Sequence, residues 1–247
     1  MNIIVTGCSG HMSQIVCELI EQGVEGHTVA AKISRKCTEN GVDNCYQSLS
    51  DYTGPADCLI DFTNHEAIGG IMEYCVSRNL PAVIATTGFT QDELQIIKDA
   101  SEKIPVFQSA NMSVGIAVLK KLAKQAAAMF PDADIEIVEK HHNRKLDAPS
   151  GTALLLADSI REVRTNANYV QGRSGHAKRA PEDIGIHAIR MGNEVGTHEV
   201  MMSNGKETIT LIHEAENRAL FAQGALKAAS FLEGKEPGYY TMDDLVG

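Results

Sequence analysis

The stretch NIIVTGCSGHMSQIVCELIEQ, residues 2–22, decides the fold class, because it joins a short apolar strand to an amphipathic helix through a glycine turn. A Gly-x-x-Gly turn in this position can hold a pyrophosphate on the backbone N–H groups at the helix start. Ser13 stands at the third small position of the pattern and is small enough for close contact between helix and strand. The same spacing is also typical of an ordinary tight turn between a strand and a helix.

Strand and helix patterns continue to alternate after this first pair. Apolar strand patterns are ADCLIDFT (56–63), LPAVIATTG (80–88) and IPVFQSA (104–110), and helical patterns cover 65–78 and 91–103. Regular alternation of this kind predicts a parallel sheet with helices on both faces. Ligands bind such sheets at the carboxyl ends of the strands, which draws attention to DFTN (61–64) and ATTGF (85–89).

A second candidate for cofactor contact is the end of the strand HTVAAKIS, residues 27–34. Dinucleotide-binding folds often carry an acid here that binds the ribose hydroxyls, but this chain has Ser34, Arg35 and Lys36. A carboxylate repels a 2′-phosphate, whereas a hydroxyl followed by two cations attracts it. The turn therefore favours NADPH over NADH. The alternative is that Arg35 and Lys36 are solvated charges of an ordinary turn.

The densest group of reactive side chains is EKHHNRKLDAPSGTA, residues 139–153. The preceding run DADIEIVE (132–139) alternates apolar and acidic residues like a half-buried strand, and ALLLADSI continues as an amphipathic helix. His141, His142 and Lys145 are therefore expected in a strand-to-helix loop, where scaffolds tend to place chemistry. Imidazole and ammonium groups move protons, and the N–H groups of a helix start hold carboxylates. Surface histidines, a solvated lysine and an ordinary helix cap are the alternative.

The pattern changes after residue 112. A long helix is predicted from SANMSVGIAVLKKLAKQAAAMF (109–130), and strands from IGIHAIRM, GTHEVMMSN and KETITLIHEA have few helices between them. These features predict a second domain, residues 113–217, with an antiparallel or mixed sheet. The helix predicted at 218–232 returns to the first domain. The expected fold is thus α/β, with a Rossmann-like domain of residues 1–112 and 218–247 and an α+β second domain.

Composition excludes several classes of function. The chain has 247 residues, 43% of them hydrophobic, and a net charge of −10. Nucleic-acid binding needs a basic face, so no nucleic-acid partner is expected. No apolar run approaches the roughly 20 residues that span a bilayer, and the N-terminus lacks a signal-peptide pattern. We therefore expect no membrane partner and a cytoplasmic location.

The cysteines give no indication of a metal site. All six, Cys8, Cys17, Cys37, Cys45, Cys58 and Cys75, lie in the first third of the chain, with no CxxC pair and no zinc-type spacing with histidine. We expect free thiols that act as small buried apolar groups in a reducing compartment. No metal is expected. Cys8 lies in the glycine loop and is a possible site of oxidation.

Taken together, the motifs resemble the dihydrodipicolinate reductase family over nearly the whole chain. The motifs, in order, are GCSGHM, IDFTNHEA, ATTGF, SANMSVGI, EKHHNRKLDAPSGTA, VGTHEV, RALFAQGAL and GKEPGYYTMDDL. The resemblance implies an NAD(P)H-dependent reductase of the diaminopimelate route to lysine, acting on a small dicarboxylate. It also implies a cofactor domain completed by the C-terminal segment, and a substrate domain whose sheet forms a homotetramer.

The same resemblance implies roles for individual residues. His141 corresponds to a proton donor/acceptor and Lys145 to a proton donor. Expected cofactor contacts are the pyrophosphate loop Gly7, Cys8, Ser9, Gly10, His11 and Met12, and the nicotinamide-lining Ala85, Thr86, Thr87, Ser109, Ala110, Asn111 and Met112. Expected substrate contacts are His142, Ser150, Gly151, Thr152 and Arg218. The chain departs from the family in Ser13 and Ala85, where glycine is common, and in Ser34, where an acid is common.

Two other functions fit part of the pattern. A different two-domain dehydrogenase, acting on an amino acid or a semialdehyde, would explain the glycine loop but not the HH-x-x-K element. A non-catalytic dinucleotide sensor would need the loop and not the proton donors. The proximity of His141 and Lys145 to an anion-holding helix start favours catalysis.

Overall fold

The computed structural model describes residues 1–37 and 41–247, which form two compact units. The first unit consists of Met1–Val114 and Ala219–Gly247, and the second of Gly115–Arg218. The second unit is therefore inserted into the sequence of the first.

Twelve strands and seven α-helices are assigned in the described ranges. The strands are β1 (Asn2–Thr6), β2 (Thr28–Ile33), β3 (Cys45–Tyr46), β4 (Cys58–Asp61), β5 (Ala82–Ile84), β6 (Pro105–Gln108), β7 (Asp134–His141), β8 (Asn168–Gln171), β9 (Asp183–Arg190), β10 (Gly196–Ser203), β11 (Thr208–Ala215) and β12 (Gly238–Tyr240). The helices are α1 (His11–Glu21), α2 (Ile68–Ser77), α3 (Gln91–Ser101), α4 (Val114–Met129), α5 (Gly151–Arg161), α6 (Ala219–Leu232) and α7 (Met242–Val246). None of these helices combines the length and apolarity needed to cross a bilayer.

The first unit is built on a seven-stranded parallel sheet in the order β12-β6-β5-β4-β1-β2-β3. Strands such as β4 are buried throughout, as expected where helices cover both faces of a parallel sheet. Helices α2 and α3 pack on the face that carries Ile4, Leu59 and Ile84. On the opposite face, α6 packs against α1 and places Phe231 edge-on to Phe107. The Rossmann-like sheet predicted from the sequence is confirmed.

The second unit contains a mixed five-stranded sheet in the order β11-β10-β7-β9-β8. Strand β10 runs antiparallel to both β7 and β11, whereas β7, β9 and β8 are parallel. The inward face of β7 carries Ile135 and Ile137, which pack with α4 and α5 in one apolar core. Glu139 and His141 continue this buried face. The predicted mixed sheet is confirmed.

Strand β7 is longer than predicted. The sequence pattern predicted a strand that ends near Glu139 and a loop that contains both histidines, but the strand runs through His141. His141 keeps its strand geometry because it pairs with Arg190 on β9, and the preceding residue, Lys140, pairs with Thr197 on β10. His142 and Lys145 lie in the loop, as predicted.

The expectation that all six cysteines are free thiols is wrong for two of them. Cys37 and Cys45 form a disulfide across eight positions of sequence. The pairing of β2 with β3 brings the two residues together, a contact that the sequence spacing does not indicate. The other four, Cys8, Cys17, Cys58 and Cys75, are free thiols.

The contact between α6 and the segment before α4 depends on a glycine. A Cβ atom built on Gly224 would lie 1.7 Å from the backbone carbonyl oxygen of Met112. A backbone atom cannot rotate away as the end of a side chain can. Gly224 therefore sets the closest approach of α6 to this segment of the first unit.

We expect Gly224→Ala to lower the free energy of unfolding by about 1–3 kcal/mol, the usual range for overpacking. Gly69→Ala in α2 is the matched control, because no described atom lies within 4 Å of its Cβ position. Alanine there should raise stability by about 0.5–1 kcal/mol through its better helix propensity. Urea unfolding followed by circular dichroism measures both changes. Equal stability of the two variants would contradict the close contact.

Candidate active site

A fully buried carboxylate, Glu139, organises the second unit around β7. Its Oε2 accepts a hydrogen bond from Nδ1 of His141 at 2.6 Å, and both carboxylate oxygens accept from the guanidinium of Arg190 at 2.7 Å. Its Oε1 also accepts from the backbone N–H of Ser150 at 3.0 Å. One side chain thus ties together β7, β9 and the start of α5.

These contacts keep Glu139 ionised. Burial alone would raise the pKa of its carboxyl, but the hydrogen bonds from His141, Arg190 and the Ser150 N–H outweigh burial and lower the pKa to about 2. The carboxylate therefore fixes Nδ1 of His141 as a donor and orients the ring. Nε2 is then the ring atom that can exchange a proton with a ligand. It points towards Gly196, where an added Cβ would lie 3.0 Å away.

A second buried imidazole, His198 on β10, supports the same region. Its Nε2 lies 3.1 Å from Oγ of Ser150, and its ring stands edge-on to that of His141. Burial, reinforced by the charge of His141, lowers the pKa of His198 to about 3. His198 is therefore neutral at physiological pH and acts as a packing and hydrogen-bonding group.

Lys145 and His142 lie in the loop that follows β7. The loop is held to the β9–β10 connection, because the N–H of His142 donates to the carbonyl of Glu194. The N–H of Lys145 donates to the carbonyl of His142 and closes a turn. Its Nζ lies 2.9 Å from Oδ1 of Asp147, and this hydrogen bond lowers the pKa of the Asp147 carboxyl. An ammonium group has three donors, of which Asp147 takes one.

Several cations converge on His142. Loss of hydration and the positive charges of Arg144 and Arg218 lower the pKa of His142, and His141 and Lys145 act in the same direction. The side chains of Arg144, Arg218, His141 and Lys145 therefore each lie within electrostatic range of His142 in the second unit. Such a concentration of positive charge suits an anionic ligand.

The start of α5 adds backbone donors to this cluster. Ser150 is the N-cap, and its hydroxyl accepts from the N–H of Ala153 at 3.2 Å. The Ser150 side chain is buried, so it caps the helix and contacts His198. Gly151 and Thr152 form the first turn, and no described atom lies within 4 Å of the position where a Cβ would stand on Gly151. The positive end of the helix dipole lies at this turn.

The glycine loop of the first unit connects β1 to α1. Gly7 has a φ of +73°, and a Cβ there would lie 2.8 Å from the carbonyl oxygen of Phe62, so only glycine fits. Gly10 is the N-cap of α1 and provides no side-chain cap, which leaves the first-turn N–H groups to other acceptors. The Ser13 hydroxyl donates to the carbonyl of Thr6 at 2.8 Å. Ser13 therefore fits the tight helix-to-strand contact, as the sequence predicted.

The turn after β2 is bonded to this loop. The hydroxyl of Ser34 donates to Oγ of Ser9 at 3.0 Å and accepts from the N–H of Lys36 at 3.2 Å. Ser34 is buried, whereas Arg35 and Lys36 are exposed. Because Ser9 lies in the glycine loop, the two cations are placed beside the loop.

A buried carboxylate, Asp61 at the end of β4, joins three strand ends of the first unit. It accepts hydrogen bonds from the hydroxyls of Thr6 at 2.5 Å, Thr63 at 2.7 Å and Thr86 at 2.6 Å. These threonines end β1 or follow β4 and β5. The glycine loop, the DFTN segment and the ATTGF segment therefore meet at one edge of the sheet, as predicted for parallel strands.

The remaining predicted cofactor residues lie after β5 and β6. Ala85 and Thr86 are buried, and Thr87 is exposed. Ser109 and Asn111 form a compact turn, in which the Ser109 hydroxyl donates to the Asn111 carbonyl at 2.8 Å. Ala110 at its centre is exposed, and Met112 is buried. His11 and Met12 begin α1 at the glycine loop.

Comparison with known proteins identifies the family. Residues 1–112 match the model for the N-terminus of dihydrodipicolinate reductase, and residues 115–246 match the model for its C-terminus. This chain belongs to the dihydrodipicolinate reductase family. The resemblance seen in the sequence is thereby confirmed.

Individual relatives cover the chain almost end to end. A 4-hydroxy-tetrahydrodipicolinate reductase from Caldanaerobacter subterraneus is 45% identical, with 100% of this chain and 98% of the relative covered. One from Clostridium tetani is 41% identical over 98% of this chain and 96% of its own. Among solved structures, a dipicolinate-bound dihydrodipicolinate reductase from Paenisporosarcina sp. TG-14 has 27% sequence identity to this chain and a TM-score of 0.81, with 97% of each chain covered.

Four residues that build these sites had no predicted role in the sequence. Glu139 and Asp61 are charged residues within otherwise apolar strand faces, and this placement was a usable signal for buried carboxylates. Arg190 and His198 come from β9 and β10. Nothing in the sequence pairs these two with Glu139 or Ser150, because the contacts span about 50 residues or more.

The neutral state of His198 makes the fold sensitive to acid. Since the pKa of His198 falls from 6.5 to about 3 on folding, the unfolded chain takes up the proton first as the pH drops. The contribution of neutral His198 to the free energy of unfolding is therefore fully present above pH 6.5 and is lost as the pH falls from 6.5 towards 3. Across this range, unfolding free energy should decline faster in the wild type than in His198→Gln. The slopes of unfolding free energy against pH in the two proteins should differ by at most about 1.4 kcal/mol per pH unit, the limit for one proton.

Urea unfolding at a series of pH values measures this slope. His176→Gln is the control, because His176 is an exposed histidine of the same unit and its variant should follow the wild type. Identical slopes for the wild type and His198→Gln would show that His198 is not held neutral by burial.

Proposed function

We propose that this protein is an NAD(P)H-dependent 4-hydroxy-tetrahydrodipicolinate reductase of diaminopimelate and lysine biosynthesis. The family assignment gives the reaction class, and the cationic cluster around His142 is the observation that carries the substrate class. The related enzyme from Paenisporosarcina binds dipicolinate, a planar cyclic dicarboxylate. A substrate of this kind needs two carboxylate sites and a nearby proton donor.

Loss of the C4 hydroxyl as water converts the substrate into a cyclic unsaturated imine, and NAD(P)H, when bound, would supply the hydride that adds to C4. The resulting enamine must gain one proton, and the second unit provides it. We assign proton transfer to His141 and Lys145. Glu139 holds the ring of His141 through Nδ1, so Nε2 delivers the proton, and Lys145 presents its ammonium group from the adjacent loop.

The carboxylates of the substrate are assigned to the rest of the cluster. The first turn of α5, with Gly151 and Thr152, offers backbone donors and the positive end of the helix dipole. His142 and Arg218 add a hydrogen-bonding imidazole and a guanidinium. Ser150 acts on the substrate indirectly, because its hydroxyl caps the helix.

The dinucleotide is assigned to the first unit. The Gly7–Gly10 turn and the start of α1, through Met12, receive the pyrophosphate on backbone N–H groups, since Gly7 has no room for a side chain and Gly10 leaves α1 uncapped. The nicotinamide is assigned to the Asp61-braced segment Ala85–Thr87 and to the turn Ser109–Met112. NADPH is the preferred form, because the exposed Arg35 and Lys36 flank the loop where an acid would otherwise bind the ribose.

The alternative functions explain less of the molecule. A dinucleotide sensor does not need a histidine anchored by a buried carboxylate beside a lysine and a helix start. A dehydrogenase for a monoanionic amino acid does not need so many cations around one imidazole. Similarity to other dehydrogenases is confined to the fold, as with a probable dehydrogenase from Thermotoga maritima that is 11% identical with a TM-score of 0.64.

We also propose that the protein is a homotetramer assembled through the sheet of the second unit. Helices α4 and α5 both pack on the inward face of this sheet. The outward face carries apolar side chains with substantial exposure, Ile189 at 38% and Ile212 at 56%. Apolar side chains on a sheet face are typical of subunit contacts.

The assignment of His141 and Lys145 predicts a defect in the chemical step. We expect His141→Gln and Lys145→Ala each to lower kcat by a factor on the order of 10²–10⁴, the usual effect of losing a positioned acid. NADPH affinity should change little, since both residues lie in the second unit. Lys206→Ala, in the exposed β10–β11 turn, is the matched control and should keep wild-type turnover. Wild-type kcat in both variants would overturn the proton-transfer roles given to His141 and Lys145.

The assignment of Arg35 and Lys36 predicts a preference for NADPH. A charge-assisted contact with the 2′-phosphate is worth about 1.5–3 kcal/mol, so kcat/KM should favour NADPH by roughly tenfold or more. Added salt should reduce this ratio, because exposed ion pairs are screened. The double variant Ser34→Asp, Arg35→Ala should move the ratio towards NADH, whereas Lys98→Ala, an exposed lysine on α3, should not. If the double substitution leaves the NADPH-to-NADH ratio unchanged, Arg35 and Lys36 are solvated and do not contact the cofactor.

A further inference from the structure

Three cysteines meet at the glycine loop, and their sulfur atoms have no part in the proposed reductase chemistry. The Sγ atoms of Cys8, Cys37 and Cys45 all lie within 4.8 Å of one another. Cys37 and Cys45 form the disulfide, and the free thiol of Cys8 lies 3.9 Å from Sγ of Cys45. The three residues come from the β1–α1 loop, the segment after β2, and β3.

Hydrogen bonds to the backbone of these cysteines hold them close together independently of the disulfide. The N–H of Cys8 donates to the carbonyl of Ile33, and the carbonyl of Cys37 accepts from the side chain of Gln47 at 2.9 Å. Cys45 is held by the pairing of β2 with β3. Reduction of the disulfide would therefore leave three thiols gathered in one place.

The spacing of the sulfur atoms suits a tetrahedral thiolate site. Zinc binds thiolates at about 2.3 Å, which places neighbouring sulfur atoms about 3.8 Å apart in a tetrahedron. The Cys8–Cys45 distance of 3.9 Å matches this value. Reduction would allow Cys37 to move from its bonded position to the same separation.

The surroundings admit a cation. The cysteines line a cavity of about 500 Å³ that is open to solvent. Three carboxylates, Glu18, Glu21 and Asp43, face two ammonium groups, Lys32 and Lys36, in its wall. Nζ of Lys32 lies 3.5 Å from Oε1 of Glu21, and this ion pair leaves two carboxylates and one ammonium group in the wall. Negative charge is therefore in excess.

We propose that, after reduction of the disulfide, Cys8, Cys37 and Cys45 bind one soft d¹⁰ cation of the Zn²⁺ class. A dithiol reductant reduces the Cys37–Cys45 disulfide to two thiols and is itself oxidised to a disulfide. Binding of the cation then releases up to three protons as the thiols become thiolates. A water molecule or external ligand completes the fourth position, because the three protein ligands leave it open. Oxidation to the disulfide abolishes the site.

Metal titration of the purified full-length protein tests this proposal. Protein reduced with a phosphine and kept anaerobic should bind one equivalent of Cd²⁺ per chain, with an ultraviolet thiolate-to-metal charge-transfer band. One equivalent of Zn²⁺ should likewise be retained against a chromophoric chelator. Protein with the disulfide intact should bind neither ion stoichiometrically.

Single substitutions identify the ligands. Cys8→Ser, Cys37→Ser and Cys45→Ser should each weaken Cd²⁺ binding by at least about 100-fold, more than changes outside the ligand set usually do. Each should also reduce the charge-transfer band. Cys75→Ala is the control, because Cys75 is a buried thiol on the core-facing side of α2 and its replacement should leave binding unchanged. Failure of the reduced wild type to bind one equivalent would overturn the proposal. Wild-type affinity in Cys8→Ser would overturn it too, since only two cysteines would then be ligands.

Discussion

The ionised carboxylate of Glu139 is the constraint on which the second unit depends. A charge at this depth is tolerated only when its hydrogen-bonding capacity is filled. The partners that fill it, His141, Arg190 and the Ser150 N–H, come from three separate segments. Satisfying one charge therefore orients the proposed acid, positions the helix start proposed to bind the substrate, and ties β9 to both. Removal of any partner would leave part of the charge unpaired and would disturb the other two.

The first unit uses a comparable device with different chemistry. Asp61 is also buried, but its hydrogen-bond donors among the described residues are three hydroxyl groups and the Thr63 N–H rather than cations. These neutral donors draw the ends of β1, β4 and β5 together. Asp61 thus supports the glycine loop proposed to bind the dinucleotide, and Glu139 supports the proposed proton donor. In each unit, a buried acid at a strand end aligns segments that are remote in sequence.

The features that could be predicted from the sequence are the helices and strands in which apolar residues recur at regular spacing. Long apolar or amphipathic runs such as α1, α4 and α6 carry enough residues for their periodicity to be read, and the parallel and mixed sheets follow from their order. Strands β3, β8 and β12 have only two, four and three residues and show no pattern. The His141, His142 and Lys145 cluster was visible because its members are adjacent. Arg190 and the Cys37–Cys45 bond were not, because tertiary pairing alone brings those partners together.

The insertion of one unit within the other affects the order in which the chain can fold during synthesis. Helix α6 packs against α1 and supplies the carbonyl of Leu226 to His27, a contact 199 residues apart in sequence. Strand β12 completes the parallel sheet beside β6. Residues 115–218, in contrast, are contiguous. On the ribosome, the second unit can thus fold before the first, whose apolar face against α6 stays uncovered until residues 219–247 have emerged. The nascent chain is most exposed to aggregation in this interval.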